Sequence, residues 1–194
     1  MITIEQKLIE SALRVVKSGE GCLFVIKEKE LDYEPLVKND IQPFSIFEDF
    51  YQKRMDILAK MDGACIINLD GKLIGYGMRI TNTKLFLGYG TRHVAAYTAS
   101  LKGNTAILGS QESKKVRIFK NGLMVMQIDA LEKDIEKKTS QAVSLMESIG
   151  VGAIGAIGAG FLLPTAGITL IPGIIVFGTS HLIAKYLFKR DGLW

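Results

Sequence analysis

The sequence of 194 residues is poor in the features that mark several classes of protein. Its two cysteines, Cys22 and Cys65, lie 43 positions apart, which excludes a metal site built on paired cysteines. Acidic and basic residues are mixed and the net charge is only +4, so the one-signed clusters of a nucleic-acid-binding protein are missing. The first residues show no basic stretch followed by an apolar core, so we expect no secretory signal.

Charge is absent from one long segment towards the C-terminal end. Residues 148–184 contain no Asp, Glu, Lys or Arg, and they hold eight of the 20 glycines and two of the four prolines. A membrane-spanning helix needs about 20 apolar residues, so this segment and the residues that flank it have room for two such helices. We predict a hydrophobic, membrane-spanning helical hairpin over 148–188, with legs at roughly 142–163 and 167–188. Lysines and arginines flank both ends, which places the rest of the chain in the cytoplasm.

Small residues repeat along the first predicted leg, at Gly152, Ala156 and Gly160. Such a stripe lets helices approach closely. It is compatible with tight packing of the two legs, with an oligomerising or pore-forming hairpin, and with an apolar helical pair buried in a soluble oligomer.

The charged part of the chain, before residue 148, alternates helix-like and strand-like patterns. It predicts an α/β or α+β fold, with a mixed β-sheet flanked by helices over 1–128, a charged connecting helix over 129–147, and a basic tail over 189–194. Both cysteines fall in apolar strand-like runs, which indicates buried free thiols and suits a reducing cytosol. The predicted helices cover 3–18, 46–60 and 91–101, and the predicted strands cover 22–27, 64–69, 72–80, 106–110, 116–119 and 123–128. Asp70-Gly71 and Asn121-Gly122 predict type I′ hairpin turns.

Two short motifs in this domain carry candidate chemistry. Gly90-Thr91-Arg92-His93 joins a glycine turn to a helix start with Thr91 as candidate N-cap, where backbone N–H groups and a guanidinium can bind phosphate. Asp62-Gly63-Ala64 precedes a strand, where a carboxylate can project from the sheet end as a metal ligand. Taken alone, the Gly90-Thr91-Arg92-His93 motif is equally compatible with an ordinary helix start, and the Asp62-Gly63-Ala64 motif with an ordinary turn. No GxxxxGK[ST] phosphate loop is present.

Taken together and in order, five segments resemble the diadenylate cyclase (DAC) domain family. The resemblance covers about residues 3–128 and implies a mixed-sheet domain that binds one ATP per protomer. Two domains would meet face to face as a homodimer or within a higher oligomer, and would join their ATP molecules into cyclic di-AMP with release of two pyrophosphates. The family implies a requirement for Mg²⁺ or Mn²⁺. The five segments are Leu23-Phe24-Val25-Ile26, Met61-Asp62-Gly63-Ala64, Gly90-Thr91-Arg92-His93-Val94-Ala95-Ala96, Ser110-Gln111-Glu112 and Asn121-Gly122.

The resemblance also implies roles for individual residues. Asp62 would serve the ribose 3′-hydroxyl and the metal, and Glu112 would be a second metal ligand. Binding of ATP would fall to Gly63, Ala64, Arg79, Ile80, Thr91, Arg92, His93 and Ser110.

At three positions the sequence departs from the usual family pattern. Met61 stands where the family usually has His, Val94 where it has Arg, and Gln111 where it has Glu. Two functions therefore stay open. One is a membrane-anchored diadenylate cyclase with its catalytic domain in the cytoplasm, and the other is a non-catalytic sensor of a nucleotide or cyclic dinucleotide that acts on the membrane hairpin.

Overall fold

The structure is a computed structural model that describes residues 2–38, 40–83, 90–150 and 168–177. The helices of this part are α1 (Ile4–Lys17), α2 (Gln52–Ala59), α3 (Thr91–Leu101) and α4 (Ile135–Gly150), with a 3₁₀ turn at Asp49–Tyr51 before α2. The strands are β1 (Cys22–Ile26), β2 (Tyr33–Pro35), β3 (Phe44–Ser45), β4 (Ala64–Ile67), β5 (Lys72–Ile80), β6 (Thr105–Ser110), β7 (Lys115–Lys120), β8 (Leu123–Asp129), β9 (Ile168–Ile171) and β10 (Ile174–Phe177).

These strands form one mixed sheet in the order β2-β5-β4-β1-β6-β7-β8-β10-β9, with β3 also pairing with β5. Strands β1 and β4 run parallel, and the other described pairs run antiparallel. The predicted mixed sheet flanked by helices is therefore confirmed. The parallel pair matters for the site, because it brings the N-terminal ends of β1 and β4 to the same edge of the sheet.

Apolar side chains cover both faces of the sheet, as strand β1 shows. Cys22, Phe24 and Ile26 join the core under α1, α2 and α4, while Leu23 and Val25 join a second core under α3. The whole strand is buried because helices cover both faces. Cys22 and Cys65 are buried free thiols, as predicted.

Helix α1 forms where its sequence favours a helix at both ends. The Oγ1 of Thr3 accepts a hydrogen bond from the backbone N–H of Gln6 at 3.2 Å and so caps the first turn. Arg14 and Lys17 place positive charge in the last turn. Arg14 also donates two hydrogen bonds to the Asp56 carboxylate, at 2.7 and 3.1 Å, which ties α2 to α1.

One of the two predicted type I′ turns is confirmed and the other is wrong. Asn121 and Gly122 both have positive φ, +52° and +72°, in a two-residue loop between β7 and β8. At Asp70-Gly71 only Gly71 has positive φ, and its N–H bonds to the carbonyl oxygen of Asn68. The loop is wider there because the Asn68 side chain accepts from the N–H groups of Asp70 and Lys72.

The second leg of the predicted helical hairpin is wrong where the structure describes it. Residues 168–171 and 174–177 are strands β9 and β10, and β10 pairs with β8. Isoleucine and valine favour strands, and Pro172-Gly173 forms the two-residue turn, with Gly173 at φ +80°. The side chains of Ile174 and Val176 join the core that α1 covers. The sheet therefore continues beyond the boundary predicted at residue 128.

The other C-terminal predictions meet the structure only in part. The connecting helix, predicted from residue 129, begins at Ile135 as α4. Residues 151–167 and 178–194, which hold the rest of the predicted hairpin and the basic tail, lie outside the described residues. Within the described ranges, no helix combines the length and the apolar character needed to cross a membrane.

Candidate functional site

A cavity of about 360 Å³ lies where the start of α3 meets the end of β6 and the neighbouring strand β7. Its lining combines a helix N-terminus, two guanidinium groups, an imidazole and a carboxylate, which suits a polar and charged ligand. The lining residues are Gly90, Thr91, Arg92, His93, Gly109, Ser110, Gln111, Glu112, Ser113 and Arg117.

Helix α3 covers Thr91–Leu101, the range predicted, but its N-cap lies one residue earlier than predicted. Gly90 is the N-cap, with φ −67° and ψ 165°, and no side chain caps the helix. Thr91 is the first helical residue, so its prediction as N-cap is wrong. The first-turn N–H groups of an α-helix carry a partial positive charge, and here that end of the helix borders the cavity.

Arg92 lies at the centre of the site and reaches across to two other segments. Its Nη2 lies 3.8 Å from Oδ1 of Asp62. The guanidinium packs on the backbone of Gly21, where a Cβ atom would come within 2.6 Å of Nη1. Its Nε is buried and has no hydrogen-bond partner among the described residues. A buried donor of this kind is suited to an acceptor on a ligand.

The Asp62-Gly63-Ala64 motif forms the turn that leads into β4. The Asp62 carboxylate is 88% exposed and accepts a hydrogen bond from the Gly63 N–H at 2.9 Å. Gly63 has φ +93°, and a Cβ atom there would lie 2.7 Å from the backbone nitrogen of Met78 on β5. Only glycine fits this close approach of two strands. Ala64 is buried as the first residue of β4.

His93 and Arg117 meet at the edge of the cavity. Nη1 of Arg117 lies 3.2 Å from Nε2 of His93. Because arginine is always a donor, Nε2 is the acceptor in this contact. Burial, and then the positive charge of Arg117, lower the pKa of His93 below its usual 6.5, while Glu112 acts in the opposite direction.

Ser110 and Glu112 lie at the end of β6 and in the turn that follows it. The Ser110 hydroxyl accepts a hydrogen bond from the Ser113 N–H at 3.3 Å, which closes that turn. Glu112 and its neighbour Gln111 are exposed at the mouth of the cavity.

Four of the predicted ATP-binding residues do not line this cavity: Gly63 and Ala64, which form the turn into β4 beside Asp62, and Arg79 and Ile80. Arg79 forms an ion pair with Glu34 on the adjacent strand β2. Ile80 is buried in the core under α3, so its side chain is not free to contact a ligand. The structure therefore brings together Asp62, Arg92 and the residues around the cavity, and leaves Arg79 and Ile80 at another place.

The two predicted metal ligands, Asp62 and Glu112, are both exposed carboxylates. In the described part of the chain, no group of three or more His, Cys, Asp or Glu residues is arranged to hold a metal ion. Magnesium is commonly held by one or two carboxylates together with substrate phosphates and water. Exposed carboxylates of this kind suit a cation shared with a phosphate ligand, whereas no cluster among the described residues would enclose a metal with protein ligands alone.

Sequence reasoning missed four residues of this site, Gly21, Gly109, Ser113 and Arg117, of which Gly21 and Arg117 contact its charged groups. Gly21 carries no motif of its own, and only the packing of Arg92 on it reveals its place. Arg117 stands in the alternating run Lys115-Val116-Arg117-Ile118. That alternation places Arg117 away from the core, but it does not show which element lies over that face of the sheet.

The chain resembles two archaeal proteins named diadenylate cyclase. It is 33% identical to the one from Methanocaldococcus jannaschii over 142 residues, which cover 64% of this chain and 45% of that protein. It is 26% identical to the one from Haloferax volcanii over 140 residues, which cover 63% of this chain and 51% of that protein. The matched region thus spans about half the length of these relatives.

Two solved structures show weaker similarity. A hypothetical membrane spanning protein from Bacillus cereus matches with a TM-score of 0.48 and 16% identity, over 60% of this chain and 59% of that one. A double mutant of DacA from Staphylococcus aureus matches with a TM-score of 0.47 and 18% identity, over 71% of this chain and 93% of that one.

The family comparison covers most of the described domain. Residues 9–124 match the family described as DAC, the DisA bacterial checkpoint controller nucleotide-binding domain. The match runs from α1 to β8 and includes Asp62, Arg92 and the whole lining of the cavity. This chain therefore belongs to the DAC family.

Proposed function

We propose that this chain is a diadenylate cyclase, which joins two ATP molecules into cyclic di-AMP and releases two pyrophosphates. The observation that carries the proposal is the meeting of the Asp62 carboxylate and the Arg92 guanidinium, 3.8 Å apart, beside the N-terminus of α3. The match to the DAC family and the names of the two archaeal relatives support it.

In this proposal the start of α3 binds the triphosphate. Arg92 offers a buried Nε that lacks a partner among the described residues, and the first-turn N–H groups of α3 add donors for phosphate oxygens. The hydroxyl groups of Thr91 and Ser110 border the same cavity. These groups hold the α-phosphate in place for attack, and positioning of this kind supplies much of the catalysis of phosphoryl transfer.

Asp62 lies at the exposed edge of this arrangement, where the attacking hydroxyl arrives. Each ribose 3′-oxygen forms a bond to the α-phosphorus of the other ATP, while the bond from that phosphorus to the pyrophosphate oxygen breaks. The 3′-hydroxyl proton leaves to Asp62 or to water. Asp62 and Glu112 would hold Mg²⁺ or Mn²⁺, and a bound cation would lower the pKa of the hydroxyl and offset phosphate charge.

Two copies of the chain are needed for the ring to close. One cavity holds one ATP, which supplies a single 3′-hydroxyl and a single α-phosphate, whereas the product contains two new bonds. The exposure of Asp62, at 88%, leaves it accessible to a facing copy. We therefore propose a face-to-face homodimer as the active unit, alone or within a higher oligomer. Specific activity that stays constant on dilution below the dissociation range of the dimer would contradict this.

The second candidate is a non-catalytic sensor of a nucleotide or cyclic dinucleotide. It is favoured by Met61, which lies exposed beside Asp62 and offers a thioether where the family usually has a metal-binding imidazole.

The assay that separates the two functions uses purified full-length chain with ATP and either Mg²⁺ or Mn²⁺, and cyclic di-AMP is measured by mass spectrometry. We expect product from the wild type and none from Asp62→Asn. Asp49→Asn is the matched control, because Asp49 is equally exposed but pairs with Lys7 on α1. Tight binding of ATP without product under either metal would favour the sensor.

Membrane localisation, with the DAC domain in the cytoplasm, is proposed on the uncharged residues on either side of β9 and β10, at 148–167 and 178–184. The proposal does not depend on a helix over 168–177, where the structure has strands. Carbonate extraction of membranes from expressing cells tests it. Release of the chain into the supernatant would contradict it.

A further inference from the structure

A second arginine lines the cavity from the sheet. Arg117 lies on β7, whereas Arg92 lies on α3. Its neighbours Val116 and Ile118 belong to the core under α1. Because side chains alternate along a strand, Arg117 projects to the other face, the one that carries α3.

Two contacts orient the Arg117 guanidinium. Its Nε donates a hydrogen bond to Oε1 of Gln127, the residue opposite it on β8, at 3.1 Å. Its Nη1 donates to Nε2 of His93 at 3.2 Å. Both of these acceptors are neutral groups, and the two bonds fix the orientation of the guanidinium beside the cavity. A charged group fixed beforehand binds an anion at a lower entropic cost than a free side chain.

The charges around the cavity favour a polyanion. Of its lining residues, Arg92 and Arg117 are basic and only Glu112 is acidic. The N-terminus of α3 adds a partial positive charge. A triphosphate carries several negative charges on separate oxygens, so a single guanidinium satisfies only part of it.

We propose that Arg117 binds a phosphate group of the same nucleotide as Arg92, so that helix and sheet each contribute one arginine to the triphosphate. This inference rests on the proposed function, because ATP is the substrate assumed there. Arg117 would be a binding residue for the phosphates and would have no contact with the nucleoside.

The test compares equilibrium binding of ATP with that of adenosine, which lacks phosphate. We expect Arg117→Gln to weaken ATP binding by about ten- to a hundredfold, the effect of losing a hydrogen bond to a charged group, and to leave adenosine binding unchanged. Arg117→Lys keeps the charge but loses the planar fork, so it should restore part of the affinity. Lys120→Gln is the control, because it removes the same charge from β7 at a residue that pairs with Glu5 on α1.

Several outcomes would overturn the inference. Unchanged ATP affinity in Arg117→Gln would do so, and so would an equal loss of adenosine binding, which indicates a structural role. If thermal melting shows that Arg117→Gln is not folded, ATP binding is measured on Arg117→Lys instead. Unchanged ATP affinity in a folded Arg117→Lys variant then overturns the inference.

The cyclic di-AMP assay separates this inference from the proposed function. A wild type that makes product while Arg117→Gln keeps its ATP affinity overturns the inference alone. If the wild type binds ATP but makes no product, and Arg117→Gln binds ATP more weakly, the inference is supported and the proposed cyclase function is overturned. A wild type that binds no ATP overturns both.

Discussion

Gly21→Ala tests whether the position of Arg92, and not only its charge, determines the activity. Gly21 precedes β1 and its φ lies outside the left-handed region, so alanine can adopt this backbone. The added Cβ would lie 2.6 Å from Nη1 of Arg92, against an ordinary contact of at least 3.4 Å. The guanidinium must therefore move by about 0.8 Å or more, since its flexible end gives way more easily than the backbone.

A displacement of this size should cost activity without costing stability. Misplacement of a positioning group by about 1 Å can lower a rate by about a hundredfold. We expect kcat/KM for cyclic di-AMP formation to fall by about ten- to a hundredfold, while the melting temperature changes by no more than about 2 °C. The new Cβ also lies 3.2 Å from the carbonyl oxygen of Gly109, a contact that small backbone shifts relieve.

A double-mutant cycle shows whether the effect passes through Arg92. Arg92→Ala removes the group that the new methyl displaces, so Gly21→Ala should lower activity little or not at all in that background. Activity is measured as initial rate of cyclic di-AMP formation, and nucleotide affinity is measured in parallel. Full activity of Gly21→Ala, or losses that simply add in the double variant, would refute the reasoning.

Three further predictions concern stability and reactivity. In urea titrations, Gly63→Ala should lower the free energy of unfolding by more than Gly19→Ala does. Both residues have φ near +90°, so both variants carry the roughly 1–2 kcal/mol of left-handed strain. Only at Gly63 would the added Cβ also clash with backbone atoms, at 2.7 Å. Burial lowers the pKa of His93, so the unfolded chain binds more protons below pH 6.5 and the free energy of unfolding should fall as pH drops through that value. His93→Gln should flatten this slope, and an unchanged slope would contradict the assignment. Burial raises the pKa of Cys22 to about 12 and raises that of Cys65 further, so neither thiol should react with a thiol reagent at pH 8 until denaturant is added.

The elements that sequence reasoning predicted well are those whose signals are local. Helix α1 has its cap, its apolar stripe and its terminal charges within its own residues. The turn at Asn121-Gly122 depends on the two residues that adopt positive φ. By contrast, the Asp70-Gly71 turn was changed by the side chain of Asn68, which lies outside the dipeptide.

The strands β9 and β10 show why the C-terminal prediction failed. Absence of charge is expected both for a membrane helix and for a strand in a buried core, so composition alone does not separate them. The edge of β8 decides between them, because it offers unpaired backbone groups to Ile174 and Val176. That edge is a property of the assembled sheet and leaves no trace in residues 168–177 themselves.

The site depends on an arrangement that no motif contains. Because β1 and β4 are parallel, the residues before each of them, Gly21 and Asp62, arrive at the same edge of the sheet. Arg92 contacts both, packing on one and lying 3.8 Å from the other. A parallel pair requires a crossover, and here it is the segment that contains α2, held to α1 by Asp56. The meeting of Asp62 and Arg92 therefore rests on a crossover that packs against the opposite face of the sheet.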